Sequence, residues 1–144
     1  MKWAALVTWV LTAGGGFVLL SIWLARGGMR RSTEGGSRIR PPLILSHFLL
    51  AAGGLVVWIV YIAADKDALA WIAFAALVVV ALLGWTMFAI WWRNRQGLAT
   101  GAPQAAPGGP PEMGFPIPVV GLHGLLAVVT VVLVFLSAVG VGGS

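Results

Sequence analysis

The chain contains no cysteine, and its charged residues amount to only 9% of 144 positions. The missing cysteine excludes disulfides, thiolate zinc sites, iron–sulfur clusters and a covalently attached c-type haem. The scarcity of charge excludes an ordinary soluble domain, in which roughly a quarter of residues are charged. Acidic residues are rarest, four against nine basic ones, giving a formal net charge of +5. What fills the space is apolar: 60% of the residues are hydrophobic and the mean hydropathy is +0.98. This is the composition of an integral membrane protein. The positive balance does not point to nucleic acid, because nearly all the arginine lies in two loops beside apolar runs, where membrane topology accounts for it.

Four stretches reach the roughly 20 residues that an α-helix needs to cross about 30 Å of hydrocarbon. They are expected at Trp3–Ala25, Pro41–Ala64, 68–92 and 117–141, as a single four-helix transmembrane domain over residues 1–144. The first stretch has some marks of a secretory signal peptide, with Lys2 before it and small residues at Ala13–Gly16. A retained helix fits better, because the run stays apolar through Phe17–Leu24 and the positive cluster follows it. The first loop holds Arg26, Arg30, Arg31, Arg38 and Arg40, the third opens with Arg93 and Arg95, and the opposite side has Lys2 and Lys66. The positive-inside bias then places both arginine loops in the cytoplasm and both termini outside a cell membrane.

The expected fold is therefore all-α, an integral membrane four-helix bundle with a long cytoplasmic loop between its third and fourth spans. Asp65-Lys66-Asp67 is too short for anything but a tight turn, so spans two and three form an antiparallel hairpin. Residues 96–115 are rich in Gly, Pro and Ala and are expected to form a flexible linker. Trp3, Trp23, Trp58, Tyr61, Trp71, Trp91 and Trp92 lie mainly toward span ends, as interfacial aromatics do. Trp9 and Trp85 lie deeper and need packing or an acceptor for the indole N–H.

The two histidines occupy matching surroundings. His47 follows Pro42 by five residues and precedes Leu49-Leu50-Ala51; His123 follows Pro118 by five and precedes Leu125-Leu126-Ala127. Both lie about 8 Å inside their helix starts, where an unpartnered polar ring is costly. Spans two and four run in the same direction, so equal offset becomes equal depth, and two imidazoles at one depth can ligate one haem iron. Arg30, Arg31, Arg38 and Arg40 are the candidates to neutralise haem propionates. Gly14-Gly15-Gly16, Gly84, Gly121 and Gly124 are the candidates to give a macrocycle room, with Gly16 and Gly84 nearest the histidine level. Gly14–Gly16 and Gly53-Gly54 equally suit close helix packing.

With these residues the chain resembles the b-type membrane cytochromes, in which a four-helix bundle holds haem between histidines on different helices. The resemblance covers the bundle in outline and rests on His47, His123, their common depth, the small residues beside them and the cytoplasmic arginines. It implies low-spin haem b with iron ligated by His47 and His123, electron transfer as the activity of a carrier or oxidoreductase subunit, and quinone or a partner redox protein as exchange partner. A larger respiratory or redox membrane complex and a homo-oligomer are compatible settings. Cytochromes that carry electrons across the whole bilayer usually stack two haems, whereas one histidine pair supports one.

Other chemistries have weaker support. A zinc or copper site wants three or four protein ligands, and no Asp, Glu or Cys lies at histidine depth. A proton relay lacks its carboxylate. Met87 is an alternative axial ligand, although a membrane methionine more often packs. Ser46 and His47 are adjacent and point about 100° apart, so they do not form a nucleophile–base pair. A non-redox accessory or scaffold subunit, its histidines bonding across helices, is the alternative of a different class. A small transporter component is a weaker third, since buried charges and broken helices are lacking.

Overall fold

The computed structural model describes residues 1–99 and 109–141, and every regular element among them is helical. Helix α1 spans Lys2–Ala25, a short α2 spans Gly28–Thr33, α3 spans Pro41–Ala64, α4 spans Asp67–Ala99, a 3₁₀ turn spans Pro111–Gly114, and α5 spans Ile117–Ala138. Helices α1, α3, α4 and α5 are each long and apolar enough to cross a membrane. Their outward faces carry Leu11, Phe17, Leu49, Leu82 and Leu125, all exposed. Large apolar side chains facing out, over a backbone bonded within each helix, suit hydrocarbon rather than water.

The helix ends follow local chemistry. Prolines stand in the first turns of α3 and α5, where their fixed φ is helical and their missing N–H is not needed. Asp65 ends α3 in the left-handed region, φ 51°, with its N–H donating to Tyr61 O at 2.9 Å. Only Lys66 then separates it from α4, which produces the expected hairpin. At this end the Lys2 ammonium pairs with the Asp65 carboxylate, drawing the start of α1 to the α3–α4 turn.

Helix α1 packs chiefly on α5 and α3 chiefly on α4, with secondary contacts of α4 on α5 and of α1 on α3. Around the bundle the order is therefore α1, α3, α4, α5, all neighbours antiparallel, with α3 diagonal to α5 and α1 diagonal to α4. Burial repeats across the diagonals at constant spacing. Ala5, Trp9 and Trp23 of α1 match Ala73, Leu77 and Trp91 of α4; Gly54, Trp58 and Tyr61 of α3 match Thr130, Val134 and Ser137 of α5. The bundle is thus two hairpins, α1–α3 and α4–α5, related by a pseudo-twofold axis along its length, as in parallel-repeat membrane folds.

The apolar interior divides in two. One cluster contains Ala5, Trp9, Trp58, Tyr61, Ala70, Ala73, Leu77 and Val134. The other, nearer the arginine-rich end, contains Trp23, Ile39, Ile44 and Trp91. Trp9 is buried against Trp58, ring centroids 6.4 Å apart, and over Gly54, where a Cβ would come within 3.0 Å of the indole. Trp85, in contrast, points outward and is 63% exposed. Trp23 and Trp58, placed with the interfacial aromatics by position alone, are fully buried, and each indole N–H finds an oxygen: Ser37 Oγ and Lys2 O, both at 3.3 Å.

Two expectations about the third loop are corrected. Helix α4 continues past Trp92 to Ala99, because Arg93-Asn94-Arg95-Gln96 ends an apolar run without containing anything that breaks a helix. The region from Gly109 onward is packed, not a free linker: Pro111 and Glu112 are buried. Glu112 Oε1 accepts from the Arg38 backbone N–H at 2.8 Å, and its Oε2 lies 3.1 Å from Ser37 Oγ. Arg31 Nη1 donates to Gly109 O at 2.8 Å. Low-complexity composition argues against an independent core, but a buried carboxylate, an arginine–carbonyl bond and the packing of Met113 and Phe115 on the Trp23–Trp91 cluster dock this short turn. The rest of the expected linker, residues 100–108, lies outside the described residues.

Candidate functional site: a histidine pair at the waist of the bundle

His47 and His123 occupy the layer between the two apolar clusters. Diagonal helices bring them together: the ring centroids are 6.3 Å apart and the ring planes are inclined by 61°. Each ring is also anchored to the helix its own helix packs on most closely. His47 Nδ1 lies 3.0 Å from Val80 O of α4, and His123 Nδ1 lies 2.9 Å from Thr12 O of α1. A carbonyl only accepts, so both rings donate through Nδ1–H, which leaves the Nε2 lone pair as the free basic site of each.

Glycines make these contacts sterically open. A Cβ at Gly16 would fall 2.9 Å from Cε1 of His123, and one at Gly84 would fall 3.2 Å from Cε1 of His47. Gly15 borders His123 as well, with its Cβ position 3.5 Å from the histidine Cβ. The space at Gly16 and Gly84, expected to give a macrocycle room, is thus taken by the imidazoles themselves. A Cβ added at Gly14, Gly121 or Gly124 would meet nothing within 4 Å, and all three are exposed on the outside of the bundle. Thr12 adds a polar neighbour: its hydroxyl lies 3.4 Å from that of Thr130, and both hydroxyls bond back to carbonyls of their own helices, at 2.7 and 2.8 Å.

Were a metal-bearing cofactor held here, His47 and His123 would be the residues to hold it, each through its Nε2. Metal-bound histidines characteristically give their other N–H to a carbonyl or carboxylate, which fixes tautomer and orientation. Among the described residues no cluster of three or more His, Asp, Glu or Cys side chains stands ready for a metal ion.

The arginines are gathered at one end of the bundle, but they are not equivalent. Arg31 is engaged with Gly109, whereas Arg30, Arg38 and Arg40 are exposed around that end. Met87 packs against the Trp23–Trp91 cluster. The sequence reading missed the carbonyls of Thr12 and Val80, since no side chain advertises a main-chain acceptor. A signal existed in the equal spacing of Thr12 to Gly16 and of Val80 to Gly84. It also missed Glu112, the one acid in the third loop.

Comparison with known proteins finds no matching family model, no matching curated protein and no matching solved structure. The fold and the site therefore define this chain only as a multi-span, all-helical bundle with four helices of membrane-crossing length and apolarity.

Proposed function

We propose that this chain is a membrane b-type cytochrome holding one haem b through His47 and His123 and passing electrons to or from a quinone or a partner redox protein. The observation that carries the proposal is the shared tautomer: both Nδ1 atoms are committed to backbone carbonyls on neighbouring helices, so both Nε2 atoms remain as ligands. Haem, when bound, supplies the one-electron couple. The protein's own residues position the two imidazoles across the pseudo-twofold axis, exclude water with an apolar cluster on either side, and present a positively charged end toward the cytoplasm under the positive-inside rule.

The test is spectroscopic. The purified chain should be red, with a Soret band that sharpens on reduction and a pyridine haemochrome characteristic of haem b. A preparation that stays colourless after reconstitution with haem refutes the proposal.

A second reading is favoured by the same two hydrogen bonds. They tie α3 to α4 and α5 to α1, which is what histidines in a non-redox scaffold subunit would do. In that case glutamine at both positions, which retains an N–H donor, would preserve assembly with larger membrane partners and no haem spectrum would exist to lose.

A further inference from the structure

The pseudo-twofold axis relates two tryptophans that are not equally satisfied. Trp23 lies seven residues past Gly16, and Trp91 lies seven past Gly84. Each is therefore about two turns, roughly 10 Å, nearer the arginine-rich end and on nearly the same helix face as the glycine that receives a histidine ring. Both belong to the apolar cluster at that end. The Trp23 indole N–H donates to Ser37 Oγ. Trp91 is only 3% exposed, yet its Nε1 has no acceptor among the described residues, and Nδ2 of Asn94, one turn further along α4, is sealed off without one too.

These are two donors without an acceptor, so the missing group is an oxygen. A buried N–H without a partner carries its full desolvation penalty, and few native groups are left so. The buried carboxylate at this end, Glu112, is already engaged with Ser37 and the Arg38 N–H. A cation stands close as well: Arg95 Cζ lies 5.2 Å from the centre of the Trp91 ring. Two sealed N–H donors with a cation beside them are the chemistry that an anion at this end of the bundle would satisfy.

Resting on the haem reading above, we propose that Trp91 and Asn94 receive a carboxylate arm of the porphyrin, making them positioning residues that set the rotation of the macrocycle about the His47–His123 axis. The exposed arginines are then an outer electrostatic ring, and the inner contact is made by neutral N–H donors.

The experiment compares haemin with its dimethyl ester, which lacks the carboxylates, by spectroscopic titration of the full-length chain in detergent micelles. Empty micelles give the baseline. The wild type should bind haemin roughly tenfold or more tightly than the ester, the scale of one charge-assisted hydrogen bond. Trp91→Phe and Asn94→Leu should each bring haemin down toward the ester. Asn94→Asp, which sets like charges together, should weaken haemin further and spare the ester. The haem-free Trp91→Phe protein should melt no lower than wild type, because it loses an unpaired donor and keeps an aromatic ring. Equal binding of haemin and ester by the wild type, with an intact low-spin spectrum, overturns the carboxylate seat and leaves histidine ligation standing. Parallel weakening of both ligands in Trp91→Phe also overturns it, since that is a packing effect. If neither ligand gives a Soret band, the haem reading and this inference fall together.

Discussion

His47 and His123 are held by one arrangement used twice. Each ring donates to the carbonyl that lies four residues before the glycine it rests on: Val80 before Gly84, and Thr12 before Gly16. Within an α-helix that carbonyl already accepts the glycine's own N–H, and its second lone pair takes the imidazole. The absent side chain is what lets the ring approach. Imidazole orientation is therefore written into the backbone of α1 and α4, and the two rings meet edge-on across the bundle, their centroids 6.3 Å apart.

If both Nε2 atoms serve one iron, the ligands are not exchangeable with their neighbours. His47→Ala and His123→Ala should each abolish the low-spin spectrum, and Met87→Leu should leave it unchanged, because Met87 is part of the packing around Trp23 and Trp91. Absorption and electron paramagnetic resonance spectra of the three variants provide the check. A six-coordinate spectrum retained in either histidine variant would assign the ligand elsewhere.

The glycines give a graded prediction. In Gly16→Ala the new methyl lies 2.9 Å from His123 Cε1, so the ring must give up either its position or its bond to Thr12 O. Gly84→Ala is less severe, at 3.2 Å from His47 Cε1. Overpacking of this kind costs about 1–3 kcal/mol, so haem affinity should fall by roughly tenfold or more in Gly16→Ala and by less in Gly84→Ala. Gly14→Ala meets nothing within 4 Å and should keep wild-type affinity. An equal response of all three would mean that the glycines do not shape the site.

Much of this was legible before any coordinates. The four apolar runs, the Asp65 turn and the arginine asymmetry follow from hydropathy and charge, which act locally along the chain. The histidine pair was legible because prolines fix where α3 and α5 start and parallel direction turns sequence offset into depth. What resisted was everything carried by the main chain or by a single polar atom. The carbonyls of Thr12 and Val80 have no compositional signature. The docking of Pro111–Gly114 rests on the Glu112 carboxylate and the packing of Met113, in a stretch whose composition argues for a free linker. Trp23 and Trp58 look interfacial by position, yet both are buried with an acceptor for the indole N–H, which position alone does not reveal.

Glu112 should be worth more to stability than its exposed counterpart Glu34. It is fully buried and accepts from the Arg38 N–H and the Ser37 hydroxyl; Glu112→Ala strands the Arg38 N–H beside a cavity, while the Ser37 hydroxyl still has Ile39 O at 3.0 Å. A loss of about 1.5–3 kcal/mol is expected from the charge-assisted contact alone, with a clearly lower thermal midpoint in detergent. Ser37→Ala should cost less. The double variant should fall short of additivity, since the two residues share one contact. Additive losses would show that Glu112 and Ser37 stabilise the turn independently.

Membrane orientation can be tested without background, because the chain has no native cysteine. Thr33 and Lys66 are both exposed, at opposite ends of the bundle. Thr33→Cys lies among the arginines and should react with a membrane-impermeant maleimide only after the cells are opened; Lys66→Cys should react in intact cells. The outcome bears on electron exchange as well as topology. The histidine layer lies about six residues, roughly 9 Å, inside the start of α3, much nearer the arginine end than the Asp65 turn. A haem held there exchanges electrons most readily with a partner on the arginine side, so the labelling pattern decides which leaflet that partner must approach. The reverse pattern would move the redox partner to the outer surface and leave the ligand geometry unaltered.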